Sequence, residues 1–331
     1  MKWRFIELST TDPAFNLAVE EYVFDRLSRD YAYFMLWQNR PSVIIGRHQN
    51  TAAEVNETFI RENGISVIRR LSGGGAVYHD LGNLNFTFIR DGESSKLDLS
   101  VFCEPVAAAL RELGVPAEVN GRNDIIVEGQ KISGNAQYVR EGRVMHHGTL
   151  LYSADLEAAG RALTPSAKKL KNKGVASVRS RITTVGRYMP SEVTLENFKK
   201  LLLDKLFAGQ PMEVYELTEE DLTVIEGLRQ DRYATYRWNY GESPCCDLVY
   251  ESRIEGCGTV ELRFSVKKGL IAKAEFRGDF FSEKDLAPLE AVFTGLPPER
   301  KAITEALSHT DPTAYIPGLT YEAFLKLLSC E

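Results

Sequence analysis

Residues 69–78 read Arg-Arg-Leu-Ser-Gly-Gly-Gly-Ala-Val-Tyr, and their types suggest chemistry before any fold is known. Three consecutive glycines between two strand-like segments bring no side chains to a core. They let backbone N–H groups approach a ligand closely, as phosphate-binding loops do. The two arginines add fixed positive charge, and a guanidinium can chelate phosphate oxygens. The Gly-Lys-Ser/Thr ending of a Walker loop is absent. No helix pattern follows the glycines, which sets aside the dinucleotide fingerprint. The competing reading is a flexible glycine hairpin.

Three further stretches invite a chemical reading. In Gly121-Arg-Asn-Asp-Ile-Ile-Val-Glu-Gly-Gln-Lys-Ile-Ser-Gly-Asn-Ala-Gln137, Asn123 and Asp124 end a loop just before a strand, where an amide and a carboxylate could hold Mg²⁺. Glu128-Gly129-Gln130 suits a hairpin turn, and Lys131 opens the return strand ahead of Ser133 and Gly134. A lysine there could bridge a carboxylate and an α-phosphate and stabilise charge developing at phosphorus. An exposed strand lysine beside an Asx-turn is equally open. His146-His147-Gly148-Thr149 fits either a site or a core histidine with a glycine bulge, and no further ligand spacing supports a zinc site. Between Arg161 and Arg187 lie Lys168, Lys169, Lys171, Lys173, Arg179 and Arg181 with no acidic residue among them. That positive island in a chain of net charge −6 could hold polyphosphate or steer an acidic protein.

These residues need elements to position them. Asp12-Pro13 reads as a helix start, and Phe15, Ala18, Val19, Tyr22, Val23 and Leu27 continue at helical spacing. Tyr33–Trp37 and Ser42–Ile45 read as strands. Thr51-Ala-Ala-Glu54 reads as a capping box opening a helix to about Asn63, followed by a strand at Ile65–Ile68. Asn83–Ile89 is a strand with Leu84, Phe86 and Phe88 on one face. A helix over Val101–Leu113 closes at Gly114, and strands follow at Ile125–Val127, Lys131–Gln137 and Val144–Tyr152. Leu195–Phe207 is helical. Glu242-Ser243-Pro244 is a plausible linker. Beyond it come strands at Leu248–Ile254, Val260–Val266 and Ile271–Phe276, a turn at Lys268-Gly269, and helices at Glu283–Phe293 and Leu319–Leu328. The expectation is an α+β fold: a large domain over 1–243 with a central mixed sheet flanked by helices, and a small α+β domain over 245–331.

Bulk properties bound the rest. A chain of 331 residues with 44% hydrophobic and 26% charged residues has an ordinary soluble composition. No apolar run approaches the roughly 18 residues of a membrane helix. The opening Met-Lys-Trp-Arg-Phe-Ile-Glu carries no apolar h-region. The net charge argues against a dedicated nucleic-acid binder. Five cysteines without Cys-x-x-Cys suggest reduced thiols in the cytoplasm.

Taken together, Arg-Arg-x-Ser-Gly-Gly-Gly-Ala-Val-Tyr-His-Asp-Leu-Gly-Asn, then Gly-Arg-Asn-Asp, then Lys-Ile-Ser-Gly, then His-His-Gly-Thr-Leu-Leu resemble lipoate–protein ligase A in order and separation. That family is related in fold to the biotin protein ligases. Lys168–Thr183 is similar to its adenylate-binding loop, and Trp238-Asn239-Tyr240-Gly241 precedes its accessory domain. The resemblance implies an enzyme that activates lipoate with ATP as lipoyl-AMP, with Mg²⁺, and passes the lipoyl group to a lysine. The implied acceptors are lipoyl domains of 2-oxoacid dehydrogenase E2 subunits and the glycine cleavage H protein. A cytoplasmic monomer with no membrane or nucleic-acid partner is expected. Lys131 is the implied catalytic residue. The nucleotide and lipoyl-AMP would lie against Arg70, Ser72, Gly73, Gly74, Gly75, Ala76, Val77, Tyr78, Asn83, Asn123, Asp124, Ser133, His147, Gly148, Thr149, Arg179 and Arg181, with Asp124 as Mg²⁺ ligand and Asn83 and His147 lining the lipoyl channel. The rivals are an octanoyl or lipoyl amidotransferase working through Cys103, a biotin ligase, and a non-catalytic lipoate-binding homologue.

Overall fold

A computed structural model describes residues 2–49, 51–92, 99–121, 123–163, 181–208, 210–240, 248–267, 270–298 and 300–328. In chain order the strands are β1 (Lys2–Glu7), β2 (Tyr31–Trp37), β3 (Ser42–Ile45), β4 (Ser66–Arg69), β5 (Val77–His79), β6 (Asn83–Asp91), β7 (Ala117–Asn120), β8 (Asp124–Val127), β9 (Gln130–Arg140), β10 (Arg143–Leu151), β11 (Met212–Val214), β12 (Leu248–Ile254), β13 (Gly258–Lys267) and β14 (Leu270–Gly278). Eight form one mixed sheet in the order β11-β1-β2-β6-β10-β9-β8-β7. A second sheet, β4-β3-β5, lies in the same part of the chain, and β12-β13-β14 forms a C-terminal antiparallel meander. The fold is the expected α+β combination of a large mixed sheet with helices and a smaller C-terminal sheet. The expected turn at Lys268-Gly269 and the expected linker at 242–244 lie outside the described residues.

Pleating divides the large sheet into two working faces. On β6 the even residues Leu84, Phe86 and Phe88 enter one core, which is roofed by the helix Ser100–Glu112 through Phe102, Cys103 and Val106. The odd residues Asn85, Thr87 and Ile89 face the other way. There they meet Trp37 and Met35 of β2, paired in register, and the helix Pro13–Arg26. That helix starts where Asp12 and Pro13 place it: the Asp12 carboxylate accepts the Ala14 N–H at 3.0 Å. Burying it on both sides makes Glu20 and Glu21 internal groups, 1% and 4% exposed. The C-terminal meander and its helices enclose a separate core of Leu262, Phe264, Phe276, Phe293 and Phe324.

Several expected elements differ. The single helix from Thr51 breaks into Thr51–Glu54 and Glu57–Glu62, because Val55 bridges to Leu163 and Asn56 caps the second piece. Thr51 is also tied to distant parts of the chain: its hydroxyl donates to the Asn239 carbonyl at 2.6 Å and accepts from Arg69 at 2.7 Å. The expected helix over Glu283–Phe293 is reduced to Ala287–Ala291. Strands β1, β5, β7 and β11 and the helices Leu156–Ala162, Glu219–Leu228 and Arg300–Leu307 were not anticipated.

Candidate active site

The odd face of the large sheet meets β3, β5 and the glycine run across one cavity. Of the residues singled out by sequence, Arg70, Gly74, Gly75, Ala76, Val77, Asn123, Lys131, His147, Gly148 and Thr149 line it. Ser72 and Gly73 stand behind the loop. Tyr78 is buried in the core of the small sheet, where burial first, then Asp80 and Asp155, push its hydroxyl up to about 12. Asn83 donates to Asn85 at 2.9 Å, and it is Asn85 that reaches the cavity. Ser133 is fully buried and accepts from the Asn135 amide at 3.1 Å. Arg181 lies beside the site through its backbone: its carbonyl accepts the Lys131 N–H at 2.7 Å, and Ile182 bridges to Lys131 as a short parallel strand. Arg179, with most of the basic stretch, lies outside the described residues.

Lys131 opens β9 at the mouth, about a third exposed. Its Nζ is 2.8 Å from Asp124 Oδ1 on the neighbouring β8. The lysine folds over Gly134, where a Cβ would stand 2.8 Å from Nζ, so any larger residue displaces the ammonium group. A Mg²⁺ carried on phosphates needs only one or two carboxylates from a protein. Asp124 supplies one, and Asn123 precedes it with its amide tied to the Asn135 carbonyl at 2.9 Å. Among the described residues no group of three or more acidic, histidine or cysteine side chains forms a metal cage. The donor set fits an ion that arrives with its phosphates.

The glycine run carries two functions at once. Gly75 faces open space, as a ligand-binding glycine should. Gly73 and Gly74 instead face the C-terminal unit: a Cβ on Gly73 would lie 2.3 Å from the Phe280 carbonyl, and one on Gly74 (φ +90°) 3.0 Å from the Phe281 ring. The Gly74 N–H already donates to the Phe280 carbonyl at 3.0 Å. Gly74 lines the cavity and touches this segment as well, whereas Gly73 meets the segment alone. Two of them let a segment of the distant C-terminal unit seat itself on the loop, with Phe281 packed into the large-sheet core. His48 adds a 2.8 Å contact to Ser282, and its carbonyl accepts the Gly278 N–H at 2.7 Å.

Beneath the loop runs a buried polar chain. Arg70 donates through Nε to Ser72 Oγ at 3.0 Å and through its other nitrogens to the carbonyls of Ile44, Gly73 and Gly75. It thus holds the loop from within. Burial lowers its pKa to about 10, against the opposing pull of Glu20, and it stays charged at neutral pH. Ser72 Oγ also lies within hydrogen-bond distance of His147 Nε2, at 2.6 Å. The His147 Nδ1–H then donates to Glu20 at 2.9 and 3.1 Å. Thr87 also donates to Glu20 at 2.6 Å, and Trp37 Nε1 to Thr87 at 3.0 Å. A buried cation and a buried anion are so joined through a serine and an imidazole. His146, one residue earlier, points through the sheet to the opposite core, stacked on Phe102 at 4.9 Å. Burial first, then His147, holds it neutral well below the usual histidine range.

Arg69 is a structural residue. Its guanidinium donates to the carbonyls of Gly46 and Gln49 at 2.8 and 2.7 Å and of Trp238 at 3.0 Å. Asn239 Oδ1 accepts the Arg69 N–H at 2.9 Å. The Trp-Asn pair ahead of the C-terminal unit is thereby pinned to β4. Sequence reading missed Leu17, Glu20, Trp37, Ile44, His79, Asn85 and Asn135 as parts of this site. Glu20 falls outside the apolar positions Phe15, Ala18, Val19, Tyr22, Val23 and Leu27 of its helix, so its residue type alone did not mark it.

Residues 12–207 match the lipoyl protein ligase A/B catalytic domain family, and residues 243–328 match the bacterial lipoate protein ligase C-terminus. The chain is 43% identical over 320 residues to lipoate–protein ligase 1 of Staphylococcus aureus, covering 96% of this chain and 97% of that one. Its fold is similar to that of P. falciparum LipL1 in complex with lipoate, with a TM-score of 0.77, 24% identity and 98% of each chain covered. A lipoate–protein ligase A bound with ATP shares 29% identity and a TM-score of 0.63 over 73% of this chain and 99% of that one. On this ground, and with the motifs gathered around one cavity, the chain belongs to the lipoate–protein ligase family.

Proposed function

We propose that this enzyme activates lipoate with ATP as lipoyl-AMP and then acylates a lysine of a protein acceptor, of the lipoyl-domain and glycine cleavage H protein type. The observation that carries the reading is one cavity lined by Lys131, by the open Gly75 and by the apolar side chains of Leu17, Trp37 and Ile44. A carboxylate does not acylate an amine at neutral pH, because oxide is a poor leaving group. In the first step a lipoate oxygen attacks the α-phosphorus and pyrophosphate leaves. Lys131, held by Asp124, stabilises the charge that grows on the phosphate oxygens, while the N–H groups from Gly75 to Val77 hold the nucleotide. Mg²⁺, held by Asp124 and the phosphates, would neutralise the departing pyrophosphate. In the second step the acceptor amine attacks the lipoyl carbonyl, and AMP leaves with the former lipoate oxygen.

A thioester route is disfavoured. Cys103 is fully buried in the core on the opposite face of the sheet from the cavity. The reading includes a division into a catalytic domain over 1–243 and an accessory domain over 245–331, and a cytoplasmic monomer. The accessory domain seats itself on the glycine loop for adenylation and excludes water from the anhydride. It then moves aside for the acceptor. The test is mass spectrometry after incubation with ATP, Mg²⁺ and lipoate but no acceptor. Bound lipoyl-AMP with stoichiometric pyrophosphate is expected, and a protein-linked acyl group in its place would refute the adenylate.

A further inference from the structure

The end of the cavity remote from Lys131 is lined by Leu17, Trp37, Ile44 and Val77, with two polar intruders, His79 and Asn85. Lys131 on β9 and Trp37 on β2 are three strand spacings apart, about 14 Å, so this end receives the distal part of an acyl chain whose carboxylate lies near Lys131. Each intruder has a buried nitrogen with no partner among the described residues: His79 Nε2 and Asn85 Nδ2. Native structures seldom leave a buried donor unmatched, and each exception calls for an explanation.

The proton on His79 is located by a chain of amides. Asn16 Nδ2 donates to the carbonyls of Thr10 and Gln38 at 3.1 and 2.9 Å, which identifies it as the NH₂ group. It also meets Asn39 Oδ1 at 3.0 Å, so Asn39 Nδ2 is the atom that donates to His79 Nδ1 at 3.1 Å. With Nδ1 accepting, the neutral ring carries its hydrogen on Nε2. Burial, with Arg70 and His147, lowers the ring's pKa to about 3, so it stays neutral across the physiological range. Two side chains outside the cavity, Asn16 and Asn39, thus hold a 3% exposed imidazole with one N–H donor left over in an apolar recess.

We propose that His79 is a specificity-determining residue: its Nε2–H receives an acceptor atom near the distal end of the acyl chain, so that a chain ending in a dithiolane ring is preferred to a plain alkyl chain of equal length. A ring sulfur is a weak acceptor, yet it meets a donor that an octanoyl chain leaves unmatched. Sites with a built-in polar group reject analogues that cannot satisfy it more strongly than purely apolar pockets do. Asn85 Nδ2 supports the same preference from β6 of the large sheet, beside Trp37. This inference rests on the acyl-adenylating reading above.

The test measures pyrophosphate release by the full chain with lipoate or octanoate as the varied acid. The wild type should favour lipoate in kcat/KM by about tenfold or more, a gap of roughly 1.4 kcal/mol. His79→Leu should collapse the ratio, chiefly through a higher KM for lipoate. His79→Gln, whose amide can still accept from Asn39 and donate into the cavity, should retain most of it. The wild-type ratio should be flat between pH 6 and 8. Equal use of both acids by the wild type, or a parallel fall for both in His79→Leu, would overturn the inference. If His79→Leu does not fold, His79→Gln decides: a retained ratio supports the donor role and a lost ratio refutes it. Pyrophosphate release with neither acid would overturn the adenylating reading and this inference with it.

Discussion

Gly73→Ala is the sharpest perturbation available to the interface between the glycine loop and the C-terminal unit. The new Cβ would lie 2.3 Å from the Phe280 carbonyl and 2.8 Å from Phe281 Cα, both backbone atoms that no rotamer change can move. Gly73 is not among the positive-φ glycines, so alanine strains nothing within the loop itself. Relief requires the Phe280–Phe281 segment to withdraw by roughly 1 Å, since real Cβ contacts lie beyond 3.0 Å. Withdrawal breaks the Gly74 N–H bond to Phe280, about 1 kcal/mol. It also begins to expose Phe281, now 3% accessible, whose full burial contributes about 1.5–3 kcal/mol. Together these give roughly 2.5–4 kcal/mol, or a loss of the seated arrangement of about 60- to 700-fold. Adenylation, followed as pyrophosphate release, should fall by about that factor. Transfer from preformed lipoyl-AMP to an acceptor should change little. Gly75→Ala is the internal control, because its Cβ meets nothing within 4 Å. Its melting temperature and its seated state should match the wild type. Full adenylation by Gly73→Ala would refute the claim that the C-terminal segment must rest on the loop.

Three further outcomes are expected. Lys131→Ala should lower adenylation by about 10²–10³-fold, as loss of a charge-stabilising donor does. Its melting temperature should barely move, because the Asp124 pair is a third exposed and worth little; normal pyrophosphate release would show that the lysine is merely solvated. Cys103→Ala should keep ligation within about twofold while destabilising the fold by about 1 kcal/mol, whereas a thioester trapped on Cys103 would restore the amidotransferase reading. His79 and His146 are both buried and held neutral below the ordinary histidine value of 6.5. Their stabilising contribution is therefore complete above about pH 6.5 and is lost as pH falls, because the unfolded chain takes up protons that the folded one refuses. At pH 5 His79 should weaken folding by about 2 kcal/mol, and His146 acts in the same direction. Urea unfolding midpoints that do not fall between pH 7.5 and 5 would contradict that assignment.

The order of motifs was legible because the chemistry is local: the glycine run, the Asn-Asp-to-Lys hairpin and the His-His pair each occupy one short segment. The hairpin reading held in detail, with Glu128 and Gly129 at positive φ turning β8 into β9 so that Asp124 meets Lys131. The His-His pair could not be resolved by type, since one reading was a site and the other a core histidine. Both are present: alternation along β10 sends His147 to the cavity and His146 to the core. The strand period contained that answer, but only knowledge of which face carries the cavity makes it usable. Glu20 was illegible for a related reason. A glutamate in an amphipathic helix reads as solvent-facing until the helix is found covered on both sides, and the sheet order that covers it is set by pairings between residues far apart in sequence.

The glycine run shows where reasoning from one segment stops. Absence of side chains reads as access for a ligand, and Gly75 does face open space. For Gly73 and Gly74 the same absence serves a protein partner more than 200 residues later in the chain, and nothing local to 69–78 distinguishes the two uses. The consequence is functional. On the proposed adenylating reading, a loop that offers the N–H groups after Gly75 to the nucleotide and gives that of Gly74 to Phe280 would make nucleotide binding sensitive to whether the C-terminal unit is seated. Arg70 completes the coupling. Its guanidinium holds the carbonyls of Gly73 and Gly75 on either side of the Phe280 contact, and its Nε reaches through Ser72 and His147 to Glu20 beneath the acyl cavity. We propose that a shift of the C-terminal segment is passed along these hydrogen bonds to the floor of the site. The prediction that follows is directional: Arg70→Lys, which keeps the charge but loses the fork, should reduce adenylation at least tenfold and make it insensitive to Gly73→Ala. If the two substitutions instead multiply their effects, the loop and the C-terminal segment act independently and the coupling through Arg70 is wrong.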